Sequence, residues 1–397
     1  MTKRKLRVGL ISSYVPMKCG IATHSRDLLE GMLGHENFDW RVIVAEDNMG
    51  PYDFNGRDIA RLDKESQKSY IKAATAMNKW NPDVVLLAHE FGLYGGNTFN
   101  AKRNGKDLRI ITGDYILTLI NKLKAPIITT LHTIIPEPDN IRKKVMREID
   151  KRSSMLVSMT DDGQSTLEFF YGIDKNHVAV IPHGVPQPMQ RDKKMVVKDL
   201  NLDTKKFYLV VTGLIGPNKG IELIIKALPK IITKHPEVIL MVVGQTHPTI
   251  LEEVGEVYRE SLIELAKQLG VSSHIQFLNE YLPTDRLVDY LTIADVYLTI
   301  HSDPEQSASG TLAYALGCGL ASISTPYRYA KEVLADGRGF LVPFGSSDAI
   351  AKQINTLIED KKLMESTRQK AKLFGCSMSW SRVGEEYMNL VGVVIRE

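Results

Sequence analysis

The sequence has 397 residues, 43% of them hydrophobic and 24% charged, with a formal net charge of +3. This is the balance of a globular chain long enough for two or three domains, each able to bury its own core, and it gives no bias toward nucleic acid or an anionic membrane. The three cysteines, Cys19, Cys318 and Cys376, are too few and odd in number for a disulfide framework, which points to reduced thiols and a cytoplasmic setting.

The chain opens on "MTKRKLRVGLISSYVP", basic and then apolar. The apolar run, Val8 to Ile11, is too short for a signal peptide and no small-residue cleavage site follows, so it reads as a first buried strand. "ATHSRDLLEGMLG" comes next with helical spacing. "WRVIVAE", "DVVLLAHE", "PIITTLH", "SMLVSMT" and "VAVIPHG" follow as short runs bounded by polar turns. Runs of this kind are buried parallel strands. A second series begins near Phe207 with "FYLVVTG", "VILMVVG", "IQFLNE", "VYLTI", "LASIST" and "GFLVPFG". Between the two series lies a stretch rich in proline and charge that reads as a linker.

The pattern predicts an α/β protein of two Rossmann-like doubly wound domains facing across a cleft. The first covers 1–187, the linker 188–206 and the second domain 207–377. The segments 45–70 and 92–115 carry no interpretable code. No segment approaches the roughly 20 apolar residues needed to cross a bilayer, and peripheral contact with a membrane is left open. The ten histidines are too scattered to signal a metal cluster.

The candidate site residues stand at strand ends. In Ser12–Met32 a strand runs through a loop with Gly20 into a helix whose start offers free N–H groups to an anion or a sugar; the plain alternative is a loop capped by Thr23 or Ser25. His89 and Glu90 end a strand before the Gly-rich "FGLYGGNT", and His132 ends another. A lone histidine there is commonly structural, but a titratable group at a strand's carboxyl end suits a binding site. In "VVTGLIGPNKGIELIIKAL" a glycine turn brings Lys219 to a helix start. The plain alternative is a solvated lysine at a helix start, but the helix dipole mildly disfavours a cation at that place, and a cation held against it usually has an anion to meet. In "SDPEQSASGTLAYALGCG", Ser307, Ser309 and Thr311 bracket Gly310 before an apolar helix. One hydroxyl suffices for an N-cap, so three and a glycine suggest a phosphate site.

Taken in order, "GIATHSRDLLEGM", "LHT", "IPHGV", "GPNKGIELIIKAL", "YALGCGLASISTP" and "GRGFLVPFGSSDAI" resemble the retaining glycosyltransferases of family 4, with the two-domain GT-B fold. The likeness spans nearly the whole chain. It implies hexosyl transfer from a phosphate-activated sugar donor to a carbohydrate or other hydroxyl acceptor, without cofactor, metal or nucleic acid. No Asp-x-Asp triplet is present, which suits a metal-free site. "MSWSRVGEEYMNLV" looks like the family's last helix, so 378–397 would cross back to the first domain. The resemblance makes the first domain acceptor-side, with His89 and Glu90, and the second donor-binding. Lys219 would hold the donor phosphate, the 309–311 turn would give it N–H groups, Gly20 would face the donor, and His132 would sit near the transferred sugar.

Three departures bear on the donor. The family's arginine after the turn glycine is Leu214 here, and its paired glutamates fall at Gln306 and Tyr314. Glu305 stands one place early and could rotate in through a loop shift, which makes it a catalytic candidate beside His132 and Lys219. Tyr314 can stack or donate once but cannot hold two ribose hydroxyls. Arg328, in "STPYRYAKEVL", is a candidate to replace the missing arginine. What is lost reads a nucleoside diphosphate; what is kept holds one phosphate and a sugar. A nucleotide-sugar transferase is favoured, with a phosphorylase using a sugar 1-phosphate as the alternative. A non-catalytic sugar-binding protein is an alternative of another class, and an epimerase of similar architecture a further one.

Overall fold

The computed structural model describes residues 4–46, 50–103, 106–186 and 191–396. The chain divides into two compact units, Met1–Gly184 with Trp380–Glu397, and Val185–Ser379.

In the first unit, β1 (Arg7–Ser12), α1 (Gly20–Leu33), β2 (Asp39–Ala45), β3 (Asp58–Leu62), α2 (Gln67–Trp80) and β4 (Val84–His89) come first. A hairpin of β5 (Thr98–Arg103) and β6 (Lys106–Ile111) follows, then α3 (Tyr115–Ile120), β7 (Ile127–Leu131), α4 (Asn140–Arg152), β8 (Met155–Ser158), α5 (Asp161–Thr166) and β9 (Val178–Val180). The seven-stranded sheet has the order β3-β2-β1-β4-β7-β8-β9, and every pairing in it is parallel. Strands β4 and β7 are buried along their whole length. Burial on both faces is why their sequences show no polar–apolar alternation: β4 is apolar up to His89, and β7 buries Thr129 and Thr130 among its apolar residues.

Two segments that looked featureless are structured. Residues 58–62 form the edge strand β3, and 98–111 hold the antiparallel hairpin. Their sequences are mixed and polar because neither lies in the middle of a layered sheet.

The helix Trp380–Val394 packs on α1 within this unit. Gly31 and Gly384 make the crossing close: a side-chain carbon on Gly384 would run into the Gly31 backbone. Trp380, Val383 and Tyr387 join Leu28, Leu29 and Met32 in one apolar cluster. The Tyr387 hydroxyl lies 2.7 Å from Thr130 Oγ1 on β7. Burying such side chains stabilises the unit by about 1.5–3 kcal/mol each.

The second unit opens with α6 (Lys193–Asp199), β10 (Phe207–Thr212), α7 (Ile221–Ile232), β11 (Val238–Val243), α8 (Pro248–Val254), α9 (Val257–Gln268) and β12 (Ile275–Leu278). It continues with α10 (Thr284–Ile293), β13 (Val296–Thr299), α11 (Gly310–Gly317), β14 (Ser322–Ser324), α12 (Arg328–Val333), β15 (Gly339–Leu341), α13 (Ser347–Glu359) and α14 (Lys361–Ser377); Trp380–Val394 is α15. The six strands form a parallel sheet in the order β12-β11-β10-β13-β14-β15. All six match the runs read from the sequence. Helix α6 lies in the stretch read as a linker. Asp192 caps it by accepting from the Lys194 and Met195 N–H groups, and Val196 and Val197 are buried in a cluster with Tyr208 and Leu291.

The strand order reverses direction between β1 and β4 in the first unit and between β10 and β13 in the second. At such switch points the loops from adjacent strands run to opposite sides and leave a crevice at the carboxyl ends.

Candidate functional site

The crevice of the second unit lies between the loops that follow β10 and β13. Strand β10 ends at Thr212 and the chain turns at Gly213, whose φ of +113° is a conformation only glycine adopts without strain. A side-chain carbon there would lie 3.3 Å from Thr311 Cγ2 and 3.7 Å from Lys219 Nζ. The lysine and the start of α11 therefore converge on one spot that a glycine keeps open. Residues Pro217–Lys219 form a single 3-10 turn, closed by the Lys219 N–H donating to the Gly216 carbonyl at 3.0 Å.

Lys219 is half-buried, and its Nζ lies 3.4 Å from Nε2 of His301, just beyond β13. Among the described residues no carboxylate comes within ion-pair distance of it. Burial lowers its pKa to about 8. Burial, with Lys219 nearby, lowers that of His301 to about 2, so the imidazole is neutral and accepts from the ammonium. His247, at the start of α8, is likewise lowered by burial and then by Lys219. A buried cation without a counter-charge is costly, and an arriving anion relieves that cost.

At the start of α11 the Ser309 hydroxyl accepts from the Leu312 N–H at 3.4 Å. The N–H groups of Gly310 and Thr311 begin the helix and have no acceptor within it. The hydroxyls face inward: Ser309 also meets the Tyr327 hydroxyl, and Thr311 that of Tyr297. What α11 offers an anion is thus backbone N–H. Ser307 lies in the half-buried loop before it. Tyr314 is 5% exposed and belongs to the apolar cluster with Tyr327 and Tyr329, so its ring is core and does not stack on a ligand.

Arg328 opens α12 and pairs with Glu305 at 3.6 Å. The pairing is backed by the backbone, since the Arg328 N–H donates to Pro304 O at 3.1 Å and the Tyr329 N–H to Gln306 O at 3.2 Å. The loop before α11 is thereby tied to α12. Arg328, read as a substitute for the arginine absent at Leu214, is engaged by a carboxylate.

In the first unit His89 ends β4, in register with Leu131, and its carbonyl accepts from the His132 N–H at 2.9 Å. The His89 ring is fully buried and held neutral by that burial, its pKa lowered to about 3; neither ring nitrogen has a hydrogen-bond partner among the described residues. Burial raises the pKa of Glu90, against the pull of the Gly92 N–H. Gly20 opens α1, is exposed, and has open space where a side chain would stand. Neither Thr23 nor Ser25 caps that helix: Thr23 Oγ1 donates to Cys19 O at 3.4 Å, and Ser25 Oγ lies 2.7 Å from Ser12 Oγ.

His132 does not stand alone, as its place in the sequence suggested. His24 of α1 meets it edge to face with ring centroids 4.8 Å apart, and meets His183 and Trp380 at 5.0 Å each. Burial lowers the pKa of His132 to about 3, of His183 to about 4, and of His24 well below its ordinary value. His24, His183 and His301 escaped the sequence reading; "GIATHS" and "IPHGV" contain two of them, but one histidine in a loop gives no spacing to read. Among the described residues no helix is long and apolar enough to cross a membrane, and no group of three acidic, histidine or cysteine side chains is placed to hold a metal ion.

Residues 192–374 match the family model described as Glycosyl transferases group 1. The chain is 25% identical over 277 residues to a D-inositol 3-phosphate glycosyltransferase of Rhodococcus jostii (strain RHA1), a match covering 66% of this chain and 59% of that relative. The chain spans less than two thirds of the length of the curated relatives it matches. Among solved structures, sucrose-phosphate synthase from Thermosynechococcus elongatus superposes with a TM-score of 0.76 at 15% identity, over 99% of this chain and 100% of that one. An Anabaena protein in complex with UDP and glucose superposes with a TM-score of 0.71 at 15% identity, over 97% of this chain and 99% of that one. The chain therefore has the GT-B fold, and its second unit matches the group 1 glycosyl transferase model over 192–374.

Proposed function

We propose that this chain is a retaining, metal-independent glycosyltransferase of family 4, moving a hexosyl group from a nucleotide sugar to a carbohydrate or other hydroxyl acceptor. The observation that carries the reading is the half-buried Lys219, with no carboxylate in ion-pair distance among the described residues, converging with the open start of α11 on the face of Gly213. The group 1 match over the same unit supports it, as does a structural neighbour solved with UDP and glucose.

The chemistry follows from where charge develops. As the anomeric carbon parts from phosphate, the sugar gains positive charge and the leaving oxygen negative charge. The Lys219 ammonium and the N–H groups of Gly310 and Thr311 are donors fixed in advance for that oxygen, so the site needs no reorganisation at the moment of bond breaking. In this assignment His132, neutral at working pH, hydrogen-bonds a hydroxyl of the transferred sugar, and His89 and Glu90 serve the acceptor side. The test is turnover of UDP-, GDP- and ADP-hexoses by the wild type and by Lys219→Ala. Loss of one such donor costs about 3–4 kcal/mol, a factor of 10² to 10³ in rate. Equal rates for the two proteins would reject the assignment.

A second reading has its own support. Leu214 is apolar and Arg328 is held by Glu305, so Lys219 is the cation placed for a phosphate. That is enough for a sugar 1-phosphate and suits a phosphorylase. Phosphate-dependent release of a sugar phosphate from an oligosaccharide, with indifference to nucleotides, would select it.

A further inference from the structure

The Lys219 ammonium carries three hydrogens on a flexible stem, and a lysine in isolation samples many rotamers. Its fixed neighbour is His301. That histidine is 4% exposed and anchored on two sides. Thr325 Oγ1 donates to its carbonyl at 2.6 Å. Its ring meets Tyr327 edge to face with centroids 5.0 Å apart, and the Tyr327 hydroxyl lies 3.1 Å from Thr299 Oγ1. Lys219 also acts on His247, whose Nδ1 is already taken by the Thr249 N–H at 3.3 Å.

We propose that His301 is the positioning residue of the phosphate grip: its Nε2 accepts one hydrogen of the Lys219 ammonium and leaves the other two for an anion on the face of Gly213. This rests on the reading of Lys219 as the phosphate-binding lysine. A neutral imidazole suits the task for a physical reason. A carboxylate in its place would neutralise the lysine before the anion arrived, whereas an apolar side chain would leave the ammonium without an acceptor in a buried site. With Nε2 accepting, the ring carries its proton on Nδ1.

Two measurements on the full chain test this. The first is NMR titration of [¹³Cε]lysine in the ligand-free protein, with Lys219 assigned by Lys219→Ala. The second is calorimetry with UDP. In His301→Leu the ammonium loses its acceptor, so the Lys219 midpoint falls from about 8 by about one pH unit and UDP binding weakens roughly 10–100-fold. His301→Gln, which keeps an acceptor near the Nε2 position, restores both to within about threefold of the wild type. Should the leucine variant not fold, His301→Asn, too short to reach, takes its place. An unmoved midpoint in the variant without an acceptor overturns the proposal, and so does a glutamine variant as impaired as the leucine one. If the wild type binds no UDP, the nucleotide reading fails, and the ligand-free titration still decides the role of His301.

Discussion

His24 and His132 come from a helix and a strand end more than a hundred residues apart in the chain, yet their rings meet edge to face with centroids 4.8 Å apart. With His183 they form a neutral cluster against Trp380, His24 and His183 buried and His132 half-buried. A histidine whose folded pKa lies below its unfolded value binds fewer protons folded than unfolded. Stability is therefore full above about pH 6.5 and declines as pH falls toward the folded values of about 3 for His132 and about 4 for His183. At pH 5 His132 and His183 each cost roughly 2 kcal/mol, and His24 adds in the same direction. Thermal melts between pH 7 and 5 are expected to show a steep loss, smaller in His24→Phe; equal slopes for the two proteins would refute the cluster's part in it.

Lys219 gives the opposite end of the pH range. Its folded pKa of about 8 lies below the ordinary lysine value, so the unfolded chain binds the extra proton. The ligand-free protein is expected to gain stability from this group as pH rises from about 8 toward 10.5. The effect is at most about 3 kcal/mol, less for the part of the side chain that water reaches. Lys219→Met is expected to raise the melting temperature of the ligand-free protein at pH 7 while abolishing anion binding. A lower melting temperature would mean the lysine is a structural prop.

Gly213→Ala tests the shared face directly. The positive φ costs a side chain about 1–3 kcal/mol, and the added carbon sits against Thr311 and Lys219. Nucleotide affinity is expected to fall at least tenfold in equilibrium binding, a loss beyond what the melting shift accounts for. Unchanged affinity would show that the ligand lies elsewhere.

Gly384→Leu tests the first unit. The crossing of α1 and α15 leaves no room for a side chain, so the helices must separate and expose the Trp380, Val383 and Tyr387 side of α15. A loss of about 3 kcal/mol or more in urea unfolding is expected, with raised Trp380 accessibility to quenchers. A neutral substitution would contradict the packing.

Much of the fold is legible in the sequence because parallel strands covered on both faces cannot alternate: β1, β4, β10, β11 and β13 announce themselves as largely apolar runs, and β7, β12, β14 and β15 do so as short runs marked by the turns that bound them. Strand β3, the β5–β6 hairpin and α6 do not, since each is short and has a polar side. Lys219 is legible because a glycine turn and a helix start are local features. His301 is not, for its meaning comes from a neighbour across a strand-order reversal. The hydroxyls of Ser309 and Thr311 mislead for a related reason: spacing puts them at the start of α11, while Tyr327 and Tyr297 decide that they turn inward.

Calorimetric titration of UDP at pH 8.5, in buffers of differing ionisation enthalpy, addresses the central claim most directly. A phosphate settling on Lys219 restores its proton, so the wild type is expected to take up a large fraction of one proton on binding, and Lys219→Met neither to bind tightly nor to take up a proton. Binding without proton uptake, or equal binding by the methionine variant, would show that this lysine does not hold the phosphate.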